Sequence, residues 1–152
     1  GLMASAVSAG RGLFITIRMK TRTDGKQIME KILLISAGAI LGANARYWLS
    51  LWAAQKWGAT FPVGTLLVNL TGSFLIGLFL TLAADRFLVD PRWRLLIAVG
   101  FLGAYTTFST YAFESYNLLA AGRLIPGLLN LLGSSLAGLM AVGLGIYVGK
   151  LL

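Results

Sequence analysis

Apolar residues run through this chain in long, even blocks, unlike the one-sided stripes of soluble helices. Four blocks can be drawn, roughly Ile32 to Ala53, Val63 to Ala84, Leu95 to Leu119 and Leu124 to Gly149. Each holds about 20 residues or more, enough at ~1.5 Å per residue to cross a hydrocarbon core of about 30 Å. The pattern predicts four transmembrane helices. The connections, Gln55 to Pro62, Asp85 to Arg94 and Ala120 to Arg123, are short. Pro62, Pro91 and Pro126 fall at or near span starts, where a missing N–H costs least. Trp48, Trp52, Trp57, Trp93 and Tyr147 lie near span ends, where an interfacial aromatic belt belongs.

The polar positions inside the blocks point to chemistry. In the third span, Gly103-Ala-Tyr-Thr-Thr-Phe-Ser-Thr-Tyr111 puts Thr106, Thr107, Ser109 and Thr110 within five positions at bilayer depth. An unsatisfied polar group in hydrocarbon costs several kcal/mol, so such a cluster needs a packed or wet neighbour. Gly103 and the β-branched threonines also weaken helix there. The coincidence predicts a helix break lining an ion or solute path. Thr107, Tyr111 and Glu114 are spaced for one helix face, and Phe108 and Tyr111 for a neighbouring pair. Glu114 is the only carboxylate inside any span.

The second span places Thr65, Asn69, Gly72 and Ser73 at i, i+4, i+7 and i+8, one stripe. The Asn69 amide NH₂ on that stripe can donate to an anion; a plain interhelical hydrogen bond is the simpler use. In the first span, Gly38 and Gly42 make a small-xxx-small face, and Asn44 and Arg46 follow in its last third. An arginine inside a span faces water or a partner, which makes Arg46 a candidate for a positive vestibule, against a side chain snorkelling beside Trp48 and Trp52. The fourth span carries Asn130, Ser134 and Ser135 in its first half, Asn130 and Ser134 on one face. Its second half holds Gly138, Gly143, Gly145 and Gly149, expected to serve close packing.

Composition narrows the class. The 152 residues are 57% apolar and 12% charged, against about 25% charged in soluble domains. There is no cysteine and no histidine, which removes disulfides, thiolate chemistry and the usual proton shuttle. The net charge of +8 is scattered among apolar segments, so it reads as membrane-flanking charge and not as a nucleic-acid surface. Residues 1–28 differ from the rest. They carry Arg11, Arg18, Lys20, Arg22 and Lys26 around an apolar stretch too short to span. Met29 opens a clean start, so residues 1–28 are expected to be an upstream extension or a mis-assigned start, outside a functional core of residues 29–152; an amphipathic anchor is the other reading. From Met29 on, five basic residues lie on the side of the N-terminus and three on the other, a bias too weak to fix orientation. With the extension the count is ten against three. Small four-span proteins with weak bias can insert both ways and pair antiparallel.

The sequence shows no metal-ligand cluster, Ser-His-Asp set or phosphate loop, so no enzyme is expected. Hydroxyls, amides, aromatic edges and one arginine suit a small hard anion, because a ring presents a positive edge. Carbonyls freed by a break at Gly103 to Thr106 suit a cation instead.

Three segments carry a family resemblance: Gly38-Ala-Ile-Leu-Gly-Ala-Asn-Ala-Arg46-Tyr47, Gly64-Thr-Leu-Leu-Val-Asn69-Leu-Thr-Gly72, and Gly100-Phe-Leu-Gly103-Ala-Tyr-Thr-Thr-Phe108-Ser-Thr110. From roughly Met29 to its end the chain resembles the Fluc fluoride channels, also called CrcB proteins. The resemblance implies an all-α integral membrane protein of four helices with a broken third helix. It implies an antiparallel, dual-topology homodimer in the cell (inner) membrane, with two fluoride pores. It places a structural sodium ion at the dimer centre, on the backbone carbonyls of Gly103 and Thr106 of both subunits. It maps Asn69 to the pore asparagine, Arg46 to the vestibule arginine and Phe108 to the first ring of a phenylalanine box. Tyr111 stands where the second phenylalanine is commoner. Thr110, Glu114, Asn130 and Ser134 map near the polar track of the pore. The implied function is passive export of cytoplasmic fluoride. The alternatives are a small four-helix multidrug-type cation exporter, which needs a membrane carboxylate early in the chain, and a non-conducting assembly subunit.

Overall fold

The computed structural model describes residues 25–86 and 90–152. The chain divides into two units, residues 1–32 and 33–152. Of the first, the described part is the opening of helix α1, which spans Gly25–Trp57; the rest of the expected extension lies outside the described residues. Helix α2 spans Val63–Ala84 and the last helix Leu124–Leu151. Between them Pro91–Ala120 runs as α3, residues 91–105, and α4, Phe108–Ala120, so the last helix is α5. All four spans are long and apolar enough to cross a membrane. Every described regular element is helical.

Two spans begin earlier than the apolar blocks. Helix α1 starts at Gly25 because neither proline nor glycine interrupts residues 26–37. Helix α3 starts at Pro91 because Asp90 caps it: the Asp90 carboxylate accepts from Arg92 N–H at 2.9 Å, with proline at the first helical position. Arg92 and Arg94 therefore sit on helix and not in the connection. The far ends are closed by glycine. Gly58 follows α1 at φ 76°. Gly122 follows α4 at φ 74°, where Gly122 N–H donates to Leu119 O and Arg123 N–H to Leu118 O. That paired closure needs a left-handed residue, which glycine supplies without strain.

Within residues 33–152 small residues set the packing. Helix α2 lies chiefly against α5. A Cβ on Gly145 would overlap the Phe74 carbonyl and come within 2.9 Å of Leu78 N; one on Gly77 would come within 2.5 Å of the Val142 carbonyl. Gly38, Gly42 and Gly100 join α1 to α3 in the same way, a Cβ on Gly100 falling 2.6 Å from the Ile35 carbonyl. The expectation that Gly138 and Gly143 also serve close packing does not hold inside one chain. Gly143 meets nothing within 4 Å, and Gly138 only Ser73 Oγ, at 3.7 Å.

Large apolar side chains face outward on every helix, among them Leu41, Leu75, Val99, Phe113, Leu136 and Leu139. Trp48, Trp52, Trp57, Trp93 and Tyr147 are exposed near helix ends, and Lys56 Nζ lies 5.2 and 5.0 Å from the ring centres of Trp52 and Trp57. A helix apolar all round belongs in lipid or in a larger apolar core. With four such helices this is a multi-pass membrane protein.

The glycine contacts predict an asymmetry. Gly145→Leu is expected to destabilise the protein by about 1–3 kcal/mol or more, as overpacking does, while Gly143→Ala is expected to be neutral or to stabilise it slightly, glycine being the weaker helix former. Thermal unfolding of the two variants in one detergent checks this; equal loss in both would overturn the packing described.

Candidate functional site

The helix stops at Tyr105 and restarts at Phe108. Thr106 (φ −81°, ψ 157°) and Thr107 (φ −147°, ψ 115°) are extended. Thr107 then caps α4, its hydroxyl oxygen accepting from Thr110 N–H at 3.3 Å while its own proton goes to Thr110 Oγ1 at 2.9 Å. Two extended residues leave backbone groups that no helix satisfies, and α2 supplies the partner. Asn69 Oδ1 accepts from Thr107 N–H at 2.8 Å, and Asn69 Nδ2 donates to Thr107 O at 3.0 Å.

These bonds change what two carbonyls can do. In an unbroken helix Gly103 O would accept from Thr107 N–H and Thr106 O from Thr110 N–H. Here the first donor goes to Asn69 and the second to the Thr107 hydroxyl. The residue types that bind metals by side chain do not gather: among the described residues there is no group of three or more His, Cys, Asp or Glu. Backbone carbonyls without their helical donors are groups that could hold a cation at the break.

A cavity of about 490 Å³ opens beside the break. Asn69 and Ser73 of α2, Thr107, Phe108 and Tyr111, and Ser134 and Ser135 of α5 give it polar and aromatic walls, and none of its lining residues is charged. The Phe108 and Tyr111 ring centres are 5.8 Å apart, inclined at 49°. Phe108 is 80% exposed in the single chain, whereas Tyr111 is 8% exposed. The Tyr111 hydroxyl donates to the Leu131 carbonyl and lies 2.8 Å from Ser135 Oγ. Leu131 belongs to Leu129–Gly133, where the backbone register of α5 widens to i→i+5, a distortion frequent at functional sites. The hydroxyl of Tyr111 is thus spent on α5, and its ring lines the cavity.

A second cavity, about 510 Å³, lies at the ends of α1, α2 and α4 and holds Thr65 and Glu114. Thr65 Oγ1 donates to Glu114 Oε1 at 2.9 Å, while Glu114 Oε2 is buried with no partner. Arg123 at its edge donates to the Thr60 carbonyl at 2.7 Å.

The structure thus brings Asn69, Phe108, Tyr111 and Ser134 to one cavity, with the backbone of Gly103 and Thr106, and sets Glu114 in another. Asn130, Thr110, Asn44 and Arg46 line neither cavity. Asn130 is fully buried between helices, its amide donating to Ser115 Oγ at 2.9 Å and its carbonyl accepting from Ser134 at 3.2 Å. Thr110 is exposed beside its capping bond. Arg46 and Asn44 lie on α1, where Asn44 donates back to the Ile40 carbonyl at 2.7 Å. The pairs Thr65–Glu114, Tyr111–Ser135 and Thr71–Tyr105 (2.8 Å between hydroxyls) were not foreseen. Spacing along one helix carries no signal for a partner on another.

A family model described as CrcB-like protein, Camphor Resistance (CrcB), matches residues 33–146. The chain is 51% identical over 118 residues to the fluoride-specific ion channel FluC of Trichormus variabilis, which covers 77% of this chain and 86% of that protein. It is 49% identical over 121 residues to the protein of the same name from Roseiflexus sp., covering 80% and 98%. To that of Chloroflexus aurantiacus it is 44% identical over 122 residues, covering 80% and 97%. The residues matched include the break, the Asn69 stripe and both cavities, and the chain belongs to the CrcB family.

Proposed function

We propose that this chain is a fluoride-selective channel that passively exports cytoplasmic fluoride and so protects the cell from it. The observation that carries the reading is the first cavity: a few hydroxyls, one amide and two aromatic rings are set in an otherwise aliphatic wall, with no charged side chain. A small anion leaving water needs donors in place of its hydration shell, held weakly enough that the ion can leave again. Asn69 has two amide protons and commits one to Thr107 O, which leaves one for an anion. Phe108 with Tyr111 adds ring edges, and Ser134 joins them as a donor when its proton turns from Asn130 Oδ1 toward the cavity. Thr110 and Asn130 stand next to this wall, and Thr65 with Glu114 marks the next polar station toward the surface. Arg46 serves as a positive vestibule. The relatives' printed name, fluoride-specific ion channel, supports this reading over a multidrug-type exporter or a non-conducting subunit. The exporter would also need a carboxylate at membrane depth in the first two spans, and the apolar blocks Ile32 to Ala53 and Val63 to Ala84 hold none.

The working form in this reading is an antiparallel, dual-topology homodimer in the cell (inner) membrane. Phe108, Val99 and Gly103 flank the break and are exposed in the single chain, which leaves that face open to a second copy. A sodium ion at the dimer centre fits the same segment. It would be held by the carbonyls of Gly103 and Thr106 from both copies, whose usual i+4 donors are engaged elsewhere. Bound there, the ion supplies positive charge that offsets the converging carbonyl dipoles.

Reconstituted into liposomes, the protein is expected to release fluoride rapidly and chloride negligibly, read with ion-selective electrodes; equal rates would refute the channel reading. Tyr111→Phe is expected to lower stability by about 0.6–2 kcal/mol, the worth of an interhelical hydrogen bond in a membrane, with the ring kept. Tyr111→Leu also removes the ring and is expected to release fluoride much more slowly than Tyr111→Phe. The same efflux from both would take the ring out of the pathway. Exchanging sodium for N-methylglucamine is expected to lower the unfolding temperature of the purified dimer, and an unchanged temperature would argue against the ion.

A further inference from the structure

We infer that Asn69 is the residue that holds the break open, a positioning role distinct from any contact it makes with an anion. This deepens the channel reading by naming what shapes its site, yet its test does not depend on ion flux. The side-chain amide of asparagine repeats the geometry of a peptide group, with an acceptor and a donor side by side. Placed against one extended residue it can take that residue's N–H and return a proton to its C=O, as a neighbouring strand would. Asn69 does both to Thr107, at 2.8 and 3.0 Å.

The alternative is that the break is local, caused by Gly103 and the threonines. Helix propensity is a weak force, and glycine and threonine stand in many intact helices. Two backbone groups left unpaired in apolar surroundings cost far more than such residues do in a helix. Without Asn69, the cheapest state of this segment is the closed one, with Thr107 N–H on the Gly103 carbonyl. The neighbours of Asn69 on α2 are also shaped to the open form. The Thr71 hydroxyl meets the Tyr105 hydroxyl at 2.8 Å, on the last residue before the break. A Cβ on Gly72 would overlap the Thr106 methyl and approach Tyr105 Cδ1 at 3.2 Å. Residues 69–72 of α2 thus form a socket for residues 105–107, and the amide of Asn69 is its polar part.

The test is solid-state NMR of the full-length protein in lipid bilayers, reading the Cα and Cβ shifts of Thr106 and Thr107. The wild type is expected at extended values. Asn69→Ala and Asn69→Leu are expected to move both threonines to helical values, or to split them into two populations. Extended shifts unchanged in both variants would overturn the inference. Should neither variant fold, recoupling between Asn69 Cγ and Thr107 N in the wild type decides: a contact at hydrogen-bond range supports the role, and its absence overturns it. Fluoride efflux from the same samples separates the two roles. Efflux lost with threonine shifts unchanged leaves Asn69 as an anion donor alone. A wild type that releases no fluoride, but whose threonine shifts depend on Asn69, overturns the channel reading and not this one.

Discussion

A helix inside hydrocarbon can be interrupted only where something else takes over its backbone hydrogen bonds. In this protein that constraint falls on Thr106 and Thr107, and the pairing of the Asn69 amide with Thr107 meets it. Much of the site follows from that pairing. The extended pair ends α3 and starts α4, and the Thr107 hydroxyl becomes the cap of the second helix. The carbonyls of Gly103 and Thr106 lose their usual donors, and a largely apolar cavity with a few polar groups opens beside them.

The helix packing serves this arrangement by bringing backbones close. Gly145, Gly149 and Gly77 set α5 against α2, and Gly38, Gly42 and Gly100 set α1 against α3. Close backbones fix α2, and α2 carries both the Asn69 amide and the open face at Gly72 that receives Thr106. On the other wall, the Tyr111 hydroxyl is tied to α5 at the Leu131 carbonyl and Ser135, so the ring is held at the cavity while its polar end is satisfied elsewhere. A hydroxyl on this ring therefore does not make the cavity more polar.

Much of the fold was legible before any coordinates. Four apolar blocks, their prolines and their flanking tryptophans gave the spans, because crossing a membrane imposes length and hydropathy on each helix separately. The starts of α1 and α3 were placed too late, since hydropathy registers the apolar middle of a helix and not its polar first turns. The site was legible in its inventory. Asn69, Phe108, Tyr111 and Ser134 stood out as polar or aromatic residues at depth, and they do line one cavity. Asn130 stood out for the same reason, and its amide is fully buried on Ser115 and Ser134. Glu114, spaced to share a face with Thr107 and Tyr111, lies in the second cavity, on the hydroxyl of Thr65.

The sequence by itself determined that this chain lives in a membrane, where its helices run, and which few residues there carry hydrogen-bonding groups. Each of these is a property of one segment, set by its own length, hydropathy and periodicity. Only the tertiary structure decided which of those groups are spent and which remain. An amide or hydroxyl has a fixed number of donors and acceptors. Whether one is left for an ion depends on the partners that helix packing brings within 3 Å or so, and those partners lie tens of residues away along the chain, 38 for Asn69 and Thr107 and 49 for Thr65 and Glu114.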